Sequence, residues 1–218
     1  MKSLLAGLLL VSVLSLPASA ATVTIGLSED GGPITAFSGG SNFNITGVSF
    51  GTFQVNNVTG TAFPSLPFPE LLDSQAINVS SRATSGPHEL TVYVAAQGST
   101  ALGPERLLSS FTSNTLTGGW KVDETTLFSN SNNAFVGTKI AEHLFNAIGS
   151  NSLSTFALIG KNFSAIERYQ IFTNGKVGGA NSTINLVAAT PVPAALPLFV
   201  GGLGLLGWMA RRRDQRTV

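Results

Sequence analysis

Residues 88–96, "HELTVYVAA", alternate apolar and polar side chains along most of their length. With a period of two, Leu90, Val92 and Val94 share one face of a strand, and Thr91 and Tyr93 take the other. Outward from this stretch the pattern repeats. "TVTIGL" (22–27) alternates cleanly, and "NFNITGVSFGTFQV" (42–55) reads as one or two strands broken near Gly47 and Gly51. "QAINVSSRA" (75–83) is a further strand. In "YQIFTNGKV" (169–177), Asn174-Gly175 stands between extended runs, the pair favoured by a type I′ hairpin turn. "FPSLPFP" (63–69) has three prolines in seven residues, which excludes a central strand and predicts an extended loop. Short strands separated by Thr, Ser, Asn and Gly predict an all-β fold, a single jelly-roll-like β-sandwich.

One segment fits two periods. "TKIAEHLFNAIG" (138–149) spaces Ile140, Ala141, Leu144, Phe145 and Ile148 as in a helix, with Gly149 as a C-cap. The same residues also read as a strand ending at an Asn/Gly/Ser turn, and the strand is preferred. The chain has no cysteine, so disulfides, thiolate metal sites and a cysteine nucleophile are excluded. Stability rests on packing, with Phe, Val, Ile and Leu as the core.

The N-terminal 20 residues have Lys2, an apolar run from Leu4 to Leu16, and Ala18-Ser19-Ala20. A short basic region, an apolar region and an A-x-A site describe a secretory signal peptide cut after Ala20, with Ala18 and Ala20 recognised by signal peptidase. At the other end, residues 194–210 are uncharged and mostly apolar, near the lower limit of about 17 for a membrane-spanning helix. Arg211, Arg212 and Arg213 follow directly and stay on the cytoplasmic side of a bilayer. The domain plan is residues 1–20 signal peptide, 21–190 exported β-rich domain, and 191–218 a C-terminal anchor.

This tail resembles the PEP-CTERM sorting signal of bacterial exported proteins, in its Val-Pro-x-Pro-Ala-type variant. Pro191, Val192, Pro193, Ala194 and Ala195 supply the motif, followed by a Gly/Leu-rich span and the arginine cluster. The motif is shorter than usual, and Asp214 to Val218 extend past the arginines. "LTGGWKVDET" (116–125) and "GGANSTINL" (178–186) are similar to the all-β bodies of other such proteins. The resemblance implies processing by an exosortase and transient residence in the inner membrane. It further implies delivery to the surface or extracellular matrix of a Gram-negative bacterium, beside exopolysaccharide or biofilm, in a structural or adhesive role.

The formal charge of the whole chain is +1, but the body differs. Seven lysines and arginines against ten aspartates and glutamates leave residues 21–190 at −3. Scattered cations on an acidic body are wrong for phosphate backbones, so nucleic acid is not an expected partner.

No catalytic residue, resident metal or cofactor is assigned. "GVSFG" (47–51) matches the G-x-S-x-G nucleophile elbow, but β-branched and Asn/Gly residues follow Ser49 where that motif needs a helix. Asp123 and His143 come later in the order a hydrolase triad would need, and Ser49 is expected instead at a buried edge. "GLGLLG" (202–207) matches a dinucleotide fingerprint but lies within the apolar tail, too near Val218 for the acidic partner. His88 and His143 have no second ligand nearby in sequence and are expected in loops or at the surface. Glu29-Asp30-Gly31 and Asp123-Glu124 could help hold calcium, but lack the EF-hand spacing and are expected as solvated turns. Trp120 is the one tryptophan of the body, more consistent with core than with a sugar platform. Asn44, Asn57, Asn78, Asn162 and Asn181 begin N-x-S/T triplets, which a chain rich in these residues produces by composition. The exported non-enzymatic protein is the preferred function. A carbohydrate- or calcium-binding module and a secreted hydrolase are the alternatives.

Exported material is expected to begin at Ala21. N-terminal mass spectrometry of protein recovered outside the cytoplasm checks this, and an intact Met1 there would overturn export.

Overall fold

The structure is a computed structural model. It describes residues 21–63, 70–82, 85–99, 104–159 and 162–188, with backbone alone at 104 and 105. The signal-peptide residues Ala18 and Ala20, all but Phe63 of the proline-rich loop, the Gly-rich run at 202–207 and the tail with Pro191 to Ala195 and Arg211 to Arg213 lie outside the described residues.

Among the described residues twelve strands follow one another: β1 (Thr22–Glu29), β2 (Thr35–Gly39), β3 (Asn42–Phe50), β4 (Phe53–Ala62), β5 (Glu70–Ser81), β6 (Glu89–Ser99), β7 (Pro104–Leu116), β8 (Lys121–Ser129), β9 (Thr138–Phe145), β10 (Gly149–Leu158), β11 (Phe163–Phe172) and β12 (Gly178–Ala188). They form two six-stranded antiparallel sheets, β2-β1-β6-β11-β8-β9 and β10-β7-β12-β5-β4-β3. We call these sheet A and sheet B. No helix occurs among the described residues. From β5 onward the pairs nest: β5 with β12, β6 with β11, β7 with β10 and β8 with β9. That order is an antiparallel ribbon rolled upon itself, with alternate ribbon pairs falling into opposite sheets.

Alternation builds the core. Val23, Ile25 and Leu27 of β1 and Leu90, Val92 and Val94 of β6 turn inward from sheet A, all fully buried. Leu72, Ile77 and Val79 of β5, Phe111 of β7, and Ile184 and Leu186 of β12 meet them from sheet B, equally buried. Each such side chain contributes about 1.5–3 kcal/mol by leaving water. Tyr93 takes the opposite face, as its position predicts, and packs on a small second cluster of Ala95, Leu127, Ala134 and Ile166 with Phe135. Its ring meets Phe135 edge-on at 5.5 Å.

Residues 138–149 are extended: β9 runs to Phe145 and β10 begins at Gly149. Ala141 and Phe145 are buried while Leu144 is exposed. A four-residue interval keeps two side chains on one face in a helix and in a strand alike, which is why the sequence admits both. The broken stretch at 42–55 becomes β3 and β4, which pair in one unbroken register on both sides of Gly47 (φ +66°), with the turn at Gly51-Thr52. Asn174-Gly175 corrects an expectation. It joins β11 of sheet A to β12 of sheet B, so it carries the chain between sheets and closes no hairpin. Gly175 has φ +76° against the backbone of Gly86, so a Cβ there would stand 2.9 Å from a carbonyl oxygen.

Phe111→Ala is expected to lower the unfolding free energy by about 3–5 kcal/mol, the usual cost of emptying an aromatic site in a core. Urea denaturation followed by far-UV circular dichroism measures it, and a loss below about 1 kcal/mol would remove Phe111 from the core.

Candidate functional site

Polar side chains from distant parts of the sequence converge at one end of the sandwich. Glu29 continues the inward alternation of β1 past Leu27 and reaches the rim of the core. Asp30 follows with φ +50° and starts the turn into β2. Across the rim, the Thr52 N–H donates to Glu29 Oε1 and Oε2 at 3.0 and 3.2 Å, and the Thr52 hydroxyl donates to Oε1 at 2.5 Å. The preceding Gly51 (φ +55°) leaves this carboxylate its room: a Cβ there would stand 1.3 Å from Glu29 Oε2 and displace it. Asp30 Oδ1 accepts from the Glu89 N–H at 2.8 Å, and Asp30 Oδ2 lies 2.9 Å from His88 Nδ1. Glu29 Oε1 is 3.9 Å from the same nitrogen.

His88 is held in turn. Its N–H donates to Thr173 Oγ1 at 2.9 Å, and its carbonyl accepts from the Thr173 N–H at 2.8 Å. The Glu89 N–H and then the His88 hydrogen bond lower the Asp30 pKa below its ordinary value. The hydrogen bond to Asp30, followed by the charges of Asp30 and Glu29, raises that of His88. His88 is thus no isolated surface histidine, and Glu29-Asp30 is no freely solvated turn. Beside the group lies a shallow concavity of about 280 Å³ lined by Ser49, Gly51, Thr52, Phe53, Gln54 and Arg82.

A second polar group lies inside the sandwich. Asp123-Glu124 was expected as a turn, but the pair sits within β8, and Glu124 points into the core with no exposure. Glu167 of β11, also without exposure, shares the inner face with Ala165 and Tyr169. Burial raises the Glu124 pKa to about 8, despite help from Ser182 and the Thr112 N–H, which donates at 3.1 Å. Burial also raises Glu167 well above the usual carboxyl value. Neither Glu167 oxygen has a hydrogen bond of ordinary geometry. Small hydroxyls of sheet B face these groups: Ser74 bonds to the Tyr169 hydroxyl, and Ser109 to Thr126 at 2.8 Å. Burial also raises Asp123, reinforced by the nearby charge of Glu142.

The triad considered from sequence does not assemble. Ser49 is exposed, not buried, and donates to Gln54 Oε1 at 2.8 Å on β3, the edge of sheet B. A turn and strand β4 follow it, not a helix. His143 lies on β9, the edge of sheet A on the opposite flank, beside Asn151 at 2.7 Å. Trp120 is fully buried and offers no platform. Asn57, Asn78 and Asn181 come into adjacent registers across β4, β5 and β12. Asn44 lies on β3 and Asn162 just before β11, both exposed. Between the edge strands β9 and β10 opens a cleft of about 770 Å³, whose wall includes the exposed Val136, Phe156 and Leu158.

Among the described residues, no helix is long and apolar enough to cross a membrane. The sequence matches no protein-family model and no curated protein. Among solved structures it is similar to a chain of the infectious bursal disease virus Gx strain, at 11% identity and a TM-score of 0.28. That match covers 83% of this chain and 59% of the viral one, so this chain spans under two thirds of that neighbour's length.

Stability is expected to fall as pH rises from about 5 to 8. A carboxyl with a raised folded pKa keeps its proton in the folded state after the unfolded chain has lost it. For Glu124 that window runs from about 4.5 to about 8. Inside it each such group removes about 1.4 kcal/mol per pH unit. His88 adds the same sign, since its contribution is complete below its ordinary 6.5 and is lost as pH rises through its raised folded value. Asp30, lowered from 3.8, loses its contribution only at more acidic pH. Urea titrations at pH 5, 6, 7 and 8 measure the slope, and Glu124→Gln and Glu167→Gln should each flatten it. A parent whose stability is level over this range would mean that both carboxyls ionise without cost.

Proposed function

We propose that this chain is an exported jelly-roll protein, sorted by an exosortase and retained at the surface or in the extracellular matrix of a Gram-negative bacterium. There it acts as a non-enzymatic structural or adhesive component in contact with exopolysaccharide. The observation carrying this is the outer face of sheet B. Asn56 donates to Asn78 at 3.0 Å and Asn114 to Asn181 at 3.1 Å, laying side-chain amides across four neighbouring strands. Thr112 of β7 and Thr183 and Asn185 of β12 continue the surface along two of these strands. Such a face exchanges hydrogen bonds with water and sugar hydroxyls alike and presents little charge. It suits a hydrated polysaccharide without needing a pocket.

The chain ends fit the same role. The Val23 N–H donates to the Gly40 carbonyl and the Ala62 N–H to that of Ser41, so β1 begins where β4 ends. Through β5, the register places the last described residue of β12, Ala188, at that same end. A signal peptide before Ala21 and a sorting tail after Ala188 would therefore leave one end of the sandwich, and the Asn-rich face would stay clear of the bilayer.

If residues 191–218 are a sorting signal, mature matrix material should end short of Val218. Deleting the exosortase should leave full-length protein in the inner membrane, and replacing Arg211, Arg212 and Arg213 by Gln should block tail removal. C-terminal mass spectrometry reads all three. Parent matrix protein still ending at Val218 would refute processing.

A further inference from the structure

We propose that Glu29, Asp30 and His88 form a binding site for a single zinc ion, at the end of the sandwich opposite Ala21 and Ala188. The geometry of the three side chains carries it. The donor atoms of the three side chains all lie within 4.8 Å of one another. The His88 Nδ1 distances of 2.9 Å to Asp30 Oδ2 and 3.9 Å to Glu29 Oε1 bracket the edge of about 3.3 Å in a tetrahedron whose metal bonds are about 2.0–2.1 Å long. The two carboxylates lie within the same 4.8 Å, so they turn towards each other when all three donors reach bonding distance.

The donor set selects the metal. Calcium takes six to eight oxygens, whereas one imidazole nitrogen with two carboxylates suits zinc and its transition-metal neighbours. From sequence the two acidic residues were expected as a solvated turn with calcium as the alternative, and His88, 58 positions from Asp30, changes the chemistry. The carboxylates are also supported from behind. Thr52 holds Glu29 through its N–H and hydroxyl, and the Glu89 N–H holds Asp30, the outer contacts that orient metal ligands. Gly51 leaves the space that the Glu29 carboxylate occupies.

On binding, the proton that His88 Nδ1 shares with Asp30 leaves to solvent, and the freed lone pair binds zinc. The two carboxylates supply the second and third ligands, and water the fourth. The His88 and Asp30 side chains retain 25% and 52% exposure, so the ion enters from solution without opening the core.

The test is zinc titration of the full chain in detergent micelles against a chromogenic chelator, with calcium and magnesium in parallel. One equivalent of zinc should bind, and neither alkaline-earth ion should compete at a hundredfold excess. His88→Ala and Glu29→Gln should each weaken zinc at least tenfold, while His143→Ala leaves it unchanged. Circular dichroism of each variant verifies the fold, and Glu29→Gln, nearly isosteric, keeps the test valid should His88→Ala loosen the rim. Absence of a stoichiometric zinc site, parent affinity in His88→Ala, or equal competition by calcium would each overturn the proposal.

Discussion

The interior of this sandwich has to hold two carboxyl groups, those of Glu124 and Glu167, between sheets that have no disulfide to clamp them. An ionised carboxylate at that depth would cost several kcal/mol, so burial favours their protonated forms and the core is built around them. Serines at Ser74, Ser109 and Ser182 stand on sheet B where bulkier residues would otherwise fill the layer. They leave room for the long side chains of sheet A and add hydroxyls to a region otherwise made of Val, Leu, Ile and Phe. The hydrogen bonds Ser74–Tyr169 and Ser109–Thr126 cross between the sheets, so the polar layer fixes how one sheet sits on the other. Apolar contacts supply most of the adhesion, while this layer supplies alignment.

The rolled pairing also separates the molecule's ends by role. One end carries both termini of the described body, and the other gathers the turns after β1, β3 and β11 with the loop into β6. The Glu29, Asp30, Thr52 and His88 group joins three of those turns through hydrogen bonds to backbone N–H groups. Those hydrogen bonds tie the carboxylates and His88 to the ends of β1, β4, β6 and β11. The faces divide in the same way. Sheet A is partly covered by the 130–137 loop through Phe135, while among the described residues the Asn-rich face of sheet B is exposed.

Much of the strand content was legible because a half-buried strand writes its burial into the sequence at period two. Leu90, Val92 and Val94 opposite Thr91 and Tyr93 is the clearest case, and Val23, Ile25 and Leu27 follow it. The Asn174-Gly175 turn was legible as a turn, but its hairpin was not. A turn dipeptide specifies local backbone direction, whereas the neighbour of the next strand depends on contacts far away. Glu124 misled for a similar reason: acidic pairs are usually solvated, and burial of one member becomes visible only when Ser182 and Thr112 stand beside it. His88 carried no metal spacing, because its partners come from a turn 58 residues away.

By itself the sequence determined that the body is extended, that it is stabilised without cysteines, and which alternating side chains face inward. These follow from local periodicity and composition, which need no knowledge of distant contacts. Only the tertiary structure decided which strands are neighbours, which end of the sandwich collects charged groups, and which carboxyls are withdrawn from water. Those depend on long-range pairing, in which β5 meets β12 and β6 meets β11 across most of the body. Local sequence can state that a strand will pair, but the partner is set by the total burial achieved when all twelve close together.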